Sequence, residues 1–170
     1  GGIGSAAVQV ARSMGAEVTG VCSTSKVDFV KSLGAVKVID YTKEDFTQNG
    51  ETYDLIFDIL GRSSVSRSKS SLKPNGIHLF ASFKMKHLFQ MLRTSRSGGK
   101  RVICALGSGK VDDLNTLKEM IEAGKIKPII DRCYPLEQKA EGHRYIEQGY
   151  KKGNVIITLE HNGRGEPIRI

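Results

Sequence analysis

An α/β fold built on a mostly parallel sheet is predicted by two patterns in this sequence of 170 residues. Short apolar runs alternate with segments of helical periodicity almost to the end of the chain, which is typical of βαβ units. The apolar runs are nearly continuous, as in parallel strands that are covered by helices on both faces. The sequence therefore favours a layered α/β domain over an all-helical or all-β protein.

The first half of the chain is predicted to alternate helices with strands. Each helix repeats apolar residues at helical spacing and stops at a glycine, Gly15 or Gly34, because glycine readily adopts the backbone conformation that ends helices. The strands are short apolar runs, the last of them rich in isoleucine and phenylalanine. In chain order these elements are helix 5–14, strand 17–22, helix 26–33, strand 36–39 and strand 53–60.

The second half continues the alternation. A turn is predicted at Pro74-Asn75-Gly76, because each of these residue types favours turns. Another helix is strongly amphipathic, with Leu114, Leu117 and Ile121 on one face. In chain order the elements are helix 63–72, strand 76–82, strand 101–106, helix 113–123, strand 126–130, helix 136–148 and strand 154–159. Residues 161–170 are predicted to be an irregular tail.

Composition narrows the classes of function. Hydrophobic residues make up 39% of the chain and charged residues 26%, as in ordinary globular proteins, and no apolar stretch approaches the roughly 20 residues of a membrane helix. The net charge is +8, but the basic residues are spread along the chain without a nucleic-acid-binding motif, so we expect neither a nucleic-acid nor a membrane partner. Segment 83–96 is interpreted as a lid or a subunit contact, with a basic membrane-surface helix as the alternative.

The three cysteines are Cys22, Cys104 and Cys133, which form no metal-binding or disulfide pattern. Each lies in or beside an apolar run, where a buried and unreactive thiol is expected. Their presence as free thiols predicts a reducing compartment, and therefore a cytoplasmic protein.

The glycine-rich run Gly1-Gly2-Ile3-Gly4 precedes the first predicted helix. Glycines at this place let the backbone approach a pyrophosphate, while the helix N-terminus offers free N–H groups, as in the Rossmann-type doubly wound fold. That fold also has a hydrophobic strand before the glycines and a further glycine two residues before Gly1. We therefore expect a Rossmann-type doubly wound parallel sheet whose first strand is missing from the chain. A complete protein of unusual topology is the alternative.

The end of the strand 17–22 indicates which dinucleotide is bound. NAD-selective sites carry an acidic residue there to bind the ribose hydroxyls, whereas this strand runs into Ser23, Thr24, Ser25 and Lys26. Hydroxyl groups and a lysine suit a ribose phosphate, so NADPH is predicted as the cofactor. The alternative is a helix N-cap formed by residues 23–25 beside a solvated Lys26. The missing acid also counts against a Rossmann-like methyltransferase.

Several runs resemble the medium-chain dehydrogenase/reductases, and among them the zinc-free, quinone-oxidoreductase-like branch. They are GGIGSAAVQVARSMGAEVTGVCSTSK, LGAVKVIDYTKEDF and YDLIFDILG, and the later run LKEMIEAGKIKPIIDRCYPLEQKAEGHRYIEQGYKKGNVIITL is similar to the family's C-terminal portion. The resemblance covers about residues 1–160. A short-chain dehydrogenase is disfavoured, because no Tyr-x-x-x-Lys pair occurs in the sequence.

The resemblance implies a set of cofactor-binding residues. Gly2 and Ile3 match positions at the pyrophosphate, and Ser23 and Lys26 match those that bind the 2′-phosphate. The positions near the adenosine phosphate and the adenine ribose are matched by Tyr41, Leu60 and Gly61. For Tyr41 the alternative is a packing tyrosine at a strand end. Residues 81–83 would lie toward the nicotinamide, but they depart from the family's small-residue loop and receive no role.

The resemblance also implies the domain organisation and the activity. Residues 1–160 would form the NADP-binding domain with the start of a closing segment, and the catalytic domain would lie upstream. The expected reaction is hydride transfer to a quinone, an enone or an aldehyde by a homo-oligomer that needs no metal, with no catalytic residue assigned and the isolated chain inactive. The alternatives are a nucleotide-binding or RNA-binding module without catalysis and a nonfunctional fragment.

Overall fold

The computed structural model describes residues 1–107 and 109–159. The tail predicted at 161–170 lies outside the described residues. The helices are α1 Gly2–Ser13, α2 Val27–Ser32, α3 Val65–Ser68, α4 Met85–Ser97, α5 Val111–Glu122 and α6 Lys139–Glu147. The strands are β1 Thr19–Cys22, β2 Lys37–Asp40, β3 Tyr53–Asp58, β4 Leu72–Phe80, β5 Arg101–Cys104, β6 Ile130–Pro135 and β7 Asn154–Thr158. Short 3₁₀ turns at Thr24–Lys26 and Leu136–Gln138 precede α2 and α6.

The described strands form separate sheets, with the orders β1-β2, β3-β4-β5 and β6-β7. The pairs β3–β4, β4–β5 and β6–β7 are parallel, which confirms the predicted α/β class. The chain divides into two compact units. Unit 1 comprises Gly1–Gly20, Ser25–Val38 and the chain from Asn115 onward, and unit 2 comprises Val21–Thr24 and Ile39–Leu114.

In unit 1, α1 starts earlier than predicted. The helix begins at Gly2 with Gly1 as its N-cap residue, so the glycines form the first helical turn rather than a turn before the helix. At the other end, α1 stops where expected, because Gly15 adopts a left-handed φ of +84°. The predicted helix boundaries are therefore correct at the C-terminus and late at the N-terminus.

The strand predicted at 126–130 is wrong, because Ile126 belongs to the end of α5. Gly124 has a φ of +67°, and the N–H groups of Lys125 and Ile126 both donate to the carbonyl of Met120. This arrangement caps the helix and buries Ile126, which is 9% exposed. The strand β6 therefore begins only at Ile130, where it pairs with Asn154 of β7.

In unit 2, β4 contains the predicted turn as an irregularity within the strand. Tyr53 pairs with Leu72, but Leu55 pairs with Ile77, so β4 contains extra residues between the two pairs. Asn75 accommodates them with a φ of +63°, a conformation that asparagine tolerates better than most residues. The helix predicted at 63–72 is reduced to α3, and Ser71 already accepts a hydrogen bond of 2.8 Å from the N–H of Tyr53.

A column of stacked rings forms the core of unit 2. Phe80 of β4 lies between two histidines, with ring centroids 4.2 Å from His78 and 4.4 Å from His87. All three residues are buried: Phe80 and His78 are 0% exposed and His87 is 1% exposed. Burial lowers the pKa of both His78 and His87, so both rings are neutral at pH 7.

The helix α4 covers β5 with one face and leaves the other uncovered. On the covered face, Thr94 Oγ1 accepts a hydrogen bond of 3.0 Å from the N–H of Val102. On the opposite face, Met85, Phe89 and Leu92 are 66%, 67% and 55% exposed. The structure thus confirms neither the lid nor the subunit contact, and both stay predictions.

Other apolar side chains that the sequence assigned to the interior are also exposed. Leu114, Leu117 and Ile121 of α5 are 63%, 41% and 43% exposed, and Leu55 of β3 is 53% exposed. Of the cysteines, Cys22 is buried, Cys104 is half-buried and Cys133 is exposed, so the expectation of a buried thiol is wrong for Cys133. Among the described helices, none has the length and apolar character needed to cross a bilayer.

The ring column predicts a pH-dependent stability. In the folded protein the pKa values of His78 and His87 lie below the value of about 6.5 that the unfolded chain has. Below that pH the unfolded chain binds protons that the folded protein excludes, so the free energy of unfolding falls as the pH decreases from 7 to 5. Each excluded proton contributes a slope of at most about 1.4 kcal/mol per pH unit. Urea unfolding at pH 5, 6 and 7 measures this slope.

The variant His78→Phe keeps an aromatic ring in the column and removes one titrating group. We expect its slope between pH 7 and 5 to be smaller than that of the unsubstituted protein. An unsubstituted protein with the same free energy of unfolding at pH 5 and pH 7 would contradict this prediction.

Candidate functional site

The predicted cofactor-binding residues fall into both compact units. Gly2, Ile3 and Lys26 belong to unit 1, whereas Ser23, Tyr41, Leu60 and Gly61 belong to unit 2.

In unit 1, the first turn of α1 has the properties of an anion site. The first helical hydrogen bond runs from the N–H of Ser5 to the carbonyl of Gly1, at 3.0 Å, so the N–H groups of residues 2–4 precede the helical ladder. The turn contains no acidic residue, and Ile3 is 60% exposed. A Cβ on Gly2 would lie 2.6 Å from Asn154 Oδ1, so the Asn154 side chain would have to shift if a larger residue stood here. The turn therefore combines a positive helix end with backbone that is open to a ligand.

The side chain of Lys26 is anchored by the residues just before β7. Its Nζ donates a hydrogen bond of 3.2 Å to the carbonyl of Lys151. The same segment lies against the start of α1, because a Cβ on Gly1 would be 3.9 Å from Cε of Lys151. Residues 151–154 thus contact both of the places in unit 1 where the sequence predicts cofactor phosphates. An ammonium group has three N–H donors, so the bond to Lys151 leaves Lys26 with further capacity for an anion.

In unit 2, Ser23 and Tyr41 follow neighbouring strands. Ser23 comes after β1 and Tyr41 comes after β2, and the N–H of Tyr41 donates a hydrogen bond of 3.0 Å to the carbonyl of Cys22. Tyr41 is 63% exposed, so it packs little against the rest of the described chain. Both residues stand at carboxyl ends of strands, where α/β sheets bind their ligands.

Asp58, which ends β3, organises the loop that holds Leu60 and Gly61. Its Oδ1 accepts hydrogen bonds from the N–H groups of Leu60 at 3.0 Å and Gly61 at 2.8 Å. Its Oδ2 accepts one of 2.7 Å from the N–H of Ser63 and another from the Ser63 hydroxyl. Burial by itself raises the pKa of Asp58, but these hydrogen bonds outweigh burial and hold it below its usual value. The group is therefore a carboxylate at neutral pH.

Ser63 links this carboxylate to the buried His78. Because a carboxylate only accepts, the Ser63 hydroxyl donates to Asp58, and Nε2 of His78 then donates to Ser63 Oγ over 3.0 Å. A nucleophilic serine needs a histidine that takes its proton, so the order Asp58–Ser63–His78 is unsuited to nucleophilic catalysis. The cluster acts as a structural support for the loop.

Gly61 is required by two independent features. It has a left-handed φ of +63°, and a Cβ at this position would overlap the backbone carbonyl oxygen of Ser82. The loop after β3 therefore touches the backbone that follows β4. This contact places Leu60 and Gly61 beside residues 81–83, the segment to which the sequence analysis gave no role.

Sequence reasoning missed two supporting carboxylates, Asp40 and Asp58. Asp40 Oδ2 accepts a hydrogen bond of 2.5 Å from Thr24 Oγ1. An acidic residue therefore contacts the segment 23–26, although the segment itself contains none. A signal was present at both places, since an aspartate that ends a strand and precedes a turn often binds backbone N–H groups ahead of it. The bond between Thr24 and Asp40 and the bond between Ser63 and His78 join positions far apart in the chain, so no local sequence pattern predicts them.

Comparisons with known proteins identify the family of this chain. The family model described as zinc-binding dehydrogenase matches residues 33–157. The chain belongs to the zinc-binding dehydrogenase family. This membership confirms the resemblance to medium-chain dehydrogenase/reductases. Among the described residues, no group of three or more His, Cys, Asp or Glu side chains is arranged to hold a metal ion.

Several named proteins are similar to most of this chain. Mitochondrial NAD(P)H oxidoreductase RTN4IP1 of Mus musculus is 28% identical over 94% of the chain, which covers 46% of that protein. The chloroplastic NADPH-dependent alkenal/one oxidoreductase of Arabidopsis thaliana is 30% identical over 92% of the chain and 38% of its own length. The structure of the quinone oxidoreductase from Coxiella burnetii matches with a TM-score of 0.79 at 24% identity, over 92% of this chain and 49% of that one. The chain thus spans less than half the length of these relatives.

Because Gly61 has both a left-handed φ and no room for a Cβ, Gly61→Ala is expected to lower the stability of the fold strongly. A left-handed φ alone costs an alanine about 1 kcal/mol, and the overlap with Ser82 adds about 2 kcal/mol, because one of the two loops has to move. We expect the free energy of unfolding in urea to fall by about 3 kcal/mol. Gly50→Ala is the matched control, since Gly50 has a φ of +77° and nothing within 4 Å of a Cβ. Equal losses in the two variants would contradict the proposed contact.

Proposed function

We propose that the chain is the nucleotide-binding half of an NADPH-dependent oxidoreductase, which transfers hydride to a carbonyl compound such as a quinone, an enone or an aldehyde. The observation that carries this proposal is the first turn of α1, which is free of acidic residues and whose N–H groups at residues 2–4 precede the first helical hydrogen bond. Family membership and relatives named as NAD(P)H or NADPH-dependent oxidoreductases support it.

The residues fit a nicotinamide dinucleotide. The first turn of α1, with Gly2 and Ile3, would hold the pyrophosphate through backbone N–H groups. Lys26 and Ser23 would bind the 2′-phosphate, and Tyr41, Leu60 and Gly61 would bind the adenosine part. NADPH is favoured over NADH because the chain offers a cation and hydroxyl groups at this place. Asp40 does not act as the ribose-binding acid, since its carboxylate is occupied by Thr24 and Thr42.

The nicotinamide supplies the hydride, and the work of this chain is to bind and orient the cofactor. The contact between Gly61 and Ser82 supports this division, because it fixes two loops at the carboxyl ends of β3 and β4. We assign residues 1–160 to the nucleotide-binding domain and the substrate-binding groups to a separate catalytic domain. The proposal includes a homo-oligomeric, cytoplasmic enzyme without a metal requirement, and an isolated chain that has no turnover.

Cofactor preference is the first test of this function. We expect the full-length protein to bind NADPH at least tenfold more tightly than NADH, a difference of about 1.4 kcal/mol. Lys26→Ala should remove most of that difference, because it deletes the cation, and Ser23→Asp should invert it, because it adds a repulsive carboxylate. Isothermal titration with both nucleotides measures the affinities. Equal affinity of the unsubstituted protein for NADPH and NADH would overturn the preference.

Turnover and RNA-binding assays on the same full-length protein separate the alternative functions. Tight NADPH binding without turnover of any quinone, enone or aldehyde would identify a nucleotide-binding module. Salt-dependent RNA binding in place of nucleotide binding would identify an RNA-binding protein.

Metal independence is the second test, and it follows from the resemblance to the zinc-free branch. Treating the full-length enzyme with a chelator should leave its rate of NADPH oxidation unchanged, and added zinc should not raise the rate. Elemental analysis of the purified protein provides the check. Stoichiometric zinc whose removal abolishes turnover would assign the protein to the zinc-dependent members instead.

A further inference from the structure

Asp40 joins two loops that leave neighbouring strands at the same end. Its Oδ2 accepts the hydrogen bond of 2.5 Å from Thr24 Oγ1, in the loop after β1. Its Oδ1 accepts bonds of 3.0 Å from the N–H and 2.7 Å from the hydroxyl of Thr42, in the turn after β2. The hydroxyls of Thr24 and Thr42 are themselves 3.1 Å apart. One carboxylate therefore fastens both loops together.

The turn formed by Asp40 and Thr42 does not need the hydrogen bond between Asp40 and Thr24. Asp45 and Thr47 repeat the local pattern five residues later, with bonds of 2.9 Å from the N–H and 2.7 Å from the hydroxyl of Thr47. Asp45 is 37% exposed, and its other close partner is Arg67 at 3.6 Å, whereas Asp40 is 12% exposed. The Asp-x-Thr turn is thus complete without a partner across the strands, and the contact with Thr24 is particular to Asp40.

The hydrogen bonds of Asp40 with Thr24 and Thr42 form a clamp between the two loops. The residues beside this clamp are ones proposed to bind the cofactor. Ser23 directly precedes Thr24, and Tyr41 lies between Asp40 and Thr42. The Tyr41 side chain is 63% exposed, so its place depends on its backbone anchors rather than on side-chain packing. One anchor is the hydrogen bond from the N–H of Tyr41 to the carbonyl of Cys22. The others are the hydrogen bonds that Asp40, the preceding residue, accepts from Thr24 and Thr42.

We propose that Asp40 is a positioning residue for nucleotide binding, which clamps Thr24 to Thr42 and thereby holds Ser23 and Tyr41 ready for the ribose phosphate. A site whose loops are already fastened loses less conformational freedom when the ligand binds, and this raises affinity without a direct contact. The carboxylate is compatible with a nearby phosphate because its oxygens face donors, and Lys43 Nζ lies 3.9 Å away. This inference rests on the proposed nucleotide-binding function.

The test compares four variants of the full-length protein by titration with NADPH and NADH. Thr24→Val removes the hydroxyl that crosses between the strands without changing any charge, and Asp40→Asn removes the carboxylate. We expect each to weaken NADPH binding about tenfold. The double variant should bind no more weakly than either single one, because both delete the same contact. Asp45→Asn, the matched control, should change the affinity less than twofold.

A rescue distinguishes positioning from a general structural role. Thr24→Ser restores the hydroxyl and should restore NADPH affinity to within twofold of the unsubstituted protein. Thr24→Val leaves both Thr42 bonds of Asp40 in place, so a thermal melt should show a folded protein whose binding can be measured. Unchanged affinity in Thr24→Val, or tighter NADPH binding in Asp40→Asn, would overturn the positioning role alone. An unsubstituted protein that binds neither nucleotide would overturn the proposed function, and this inference with it.

Discussion

The half-buried carboxylate of Asp58, together with the hydrogen bonds that it accepts, is the interaction on which the architecture of unit 2 depends. Through Ser63 it fixes His78 of β4, whose ring stacks on Phe80, and Phe80 stacks in turn on His87 of α4. The Asp58 oxygens accept four hydrogen bonds, which offset the cost of withdrawing the charge partly from water. Removing it would disturb the loop after β3 and the histidine column together.

Much of the fold could be predicted from the sequence, because helix ends and apolar runs are local signals. Gly15 ends α1 as expected, and the run that became β3 was correctly placed. The errors have physical causes of their own. Ile126 looked like part of a strand because it is apolar, but its N–H group and its side chain close the end of α5. The helix predicted at 63–72 shrank because Leu72 is already paired with Tyr53.

The candidate site was predicted less completely than the fold. Family resemblance could nominate Ser23, Lys26 and Tyr41, because their residue types and spacing are visible in the chain. The carboxylate of Asp40 supports this site through a contact with Thr24, 16 residues away. The carboxylate of Asp58 reaches His78 only through Ser63. Such contacts depend on strand pairing, which residue spacing alone does not specify. The apolar faces of α4 and α5 were evident in the sequence. Whether such a face is covered depends on the tertiary packing, which the sequence pattern does not specify.

In the loop after β3, the groups that fix the backbone path are different from the side chains that the loop exposes. The donors that wrap it around Asp58 are backbone N–H groups, together with one hydroxyl from Ser63, so the side chains of Leu60 and Arg62 contribute none of these bonds. Leu60 is 66% exposed and Arg62 is also exposed. Substituting these two side chains would therefore leave the path of the loop unchanged, whatever it did to the ligand contacts proposed for Leu60. For protein engineering, they are the positions at which a combinatorial library would sample new ligand contacts at little risk to folding.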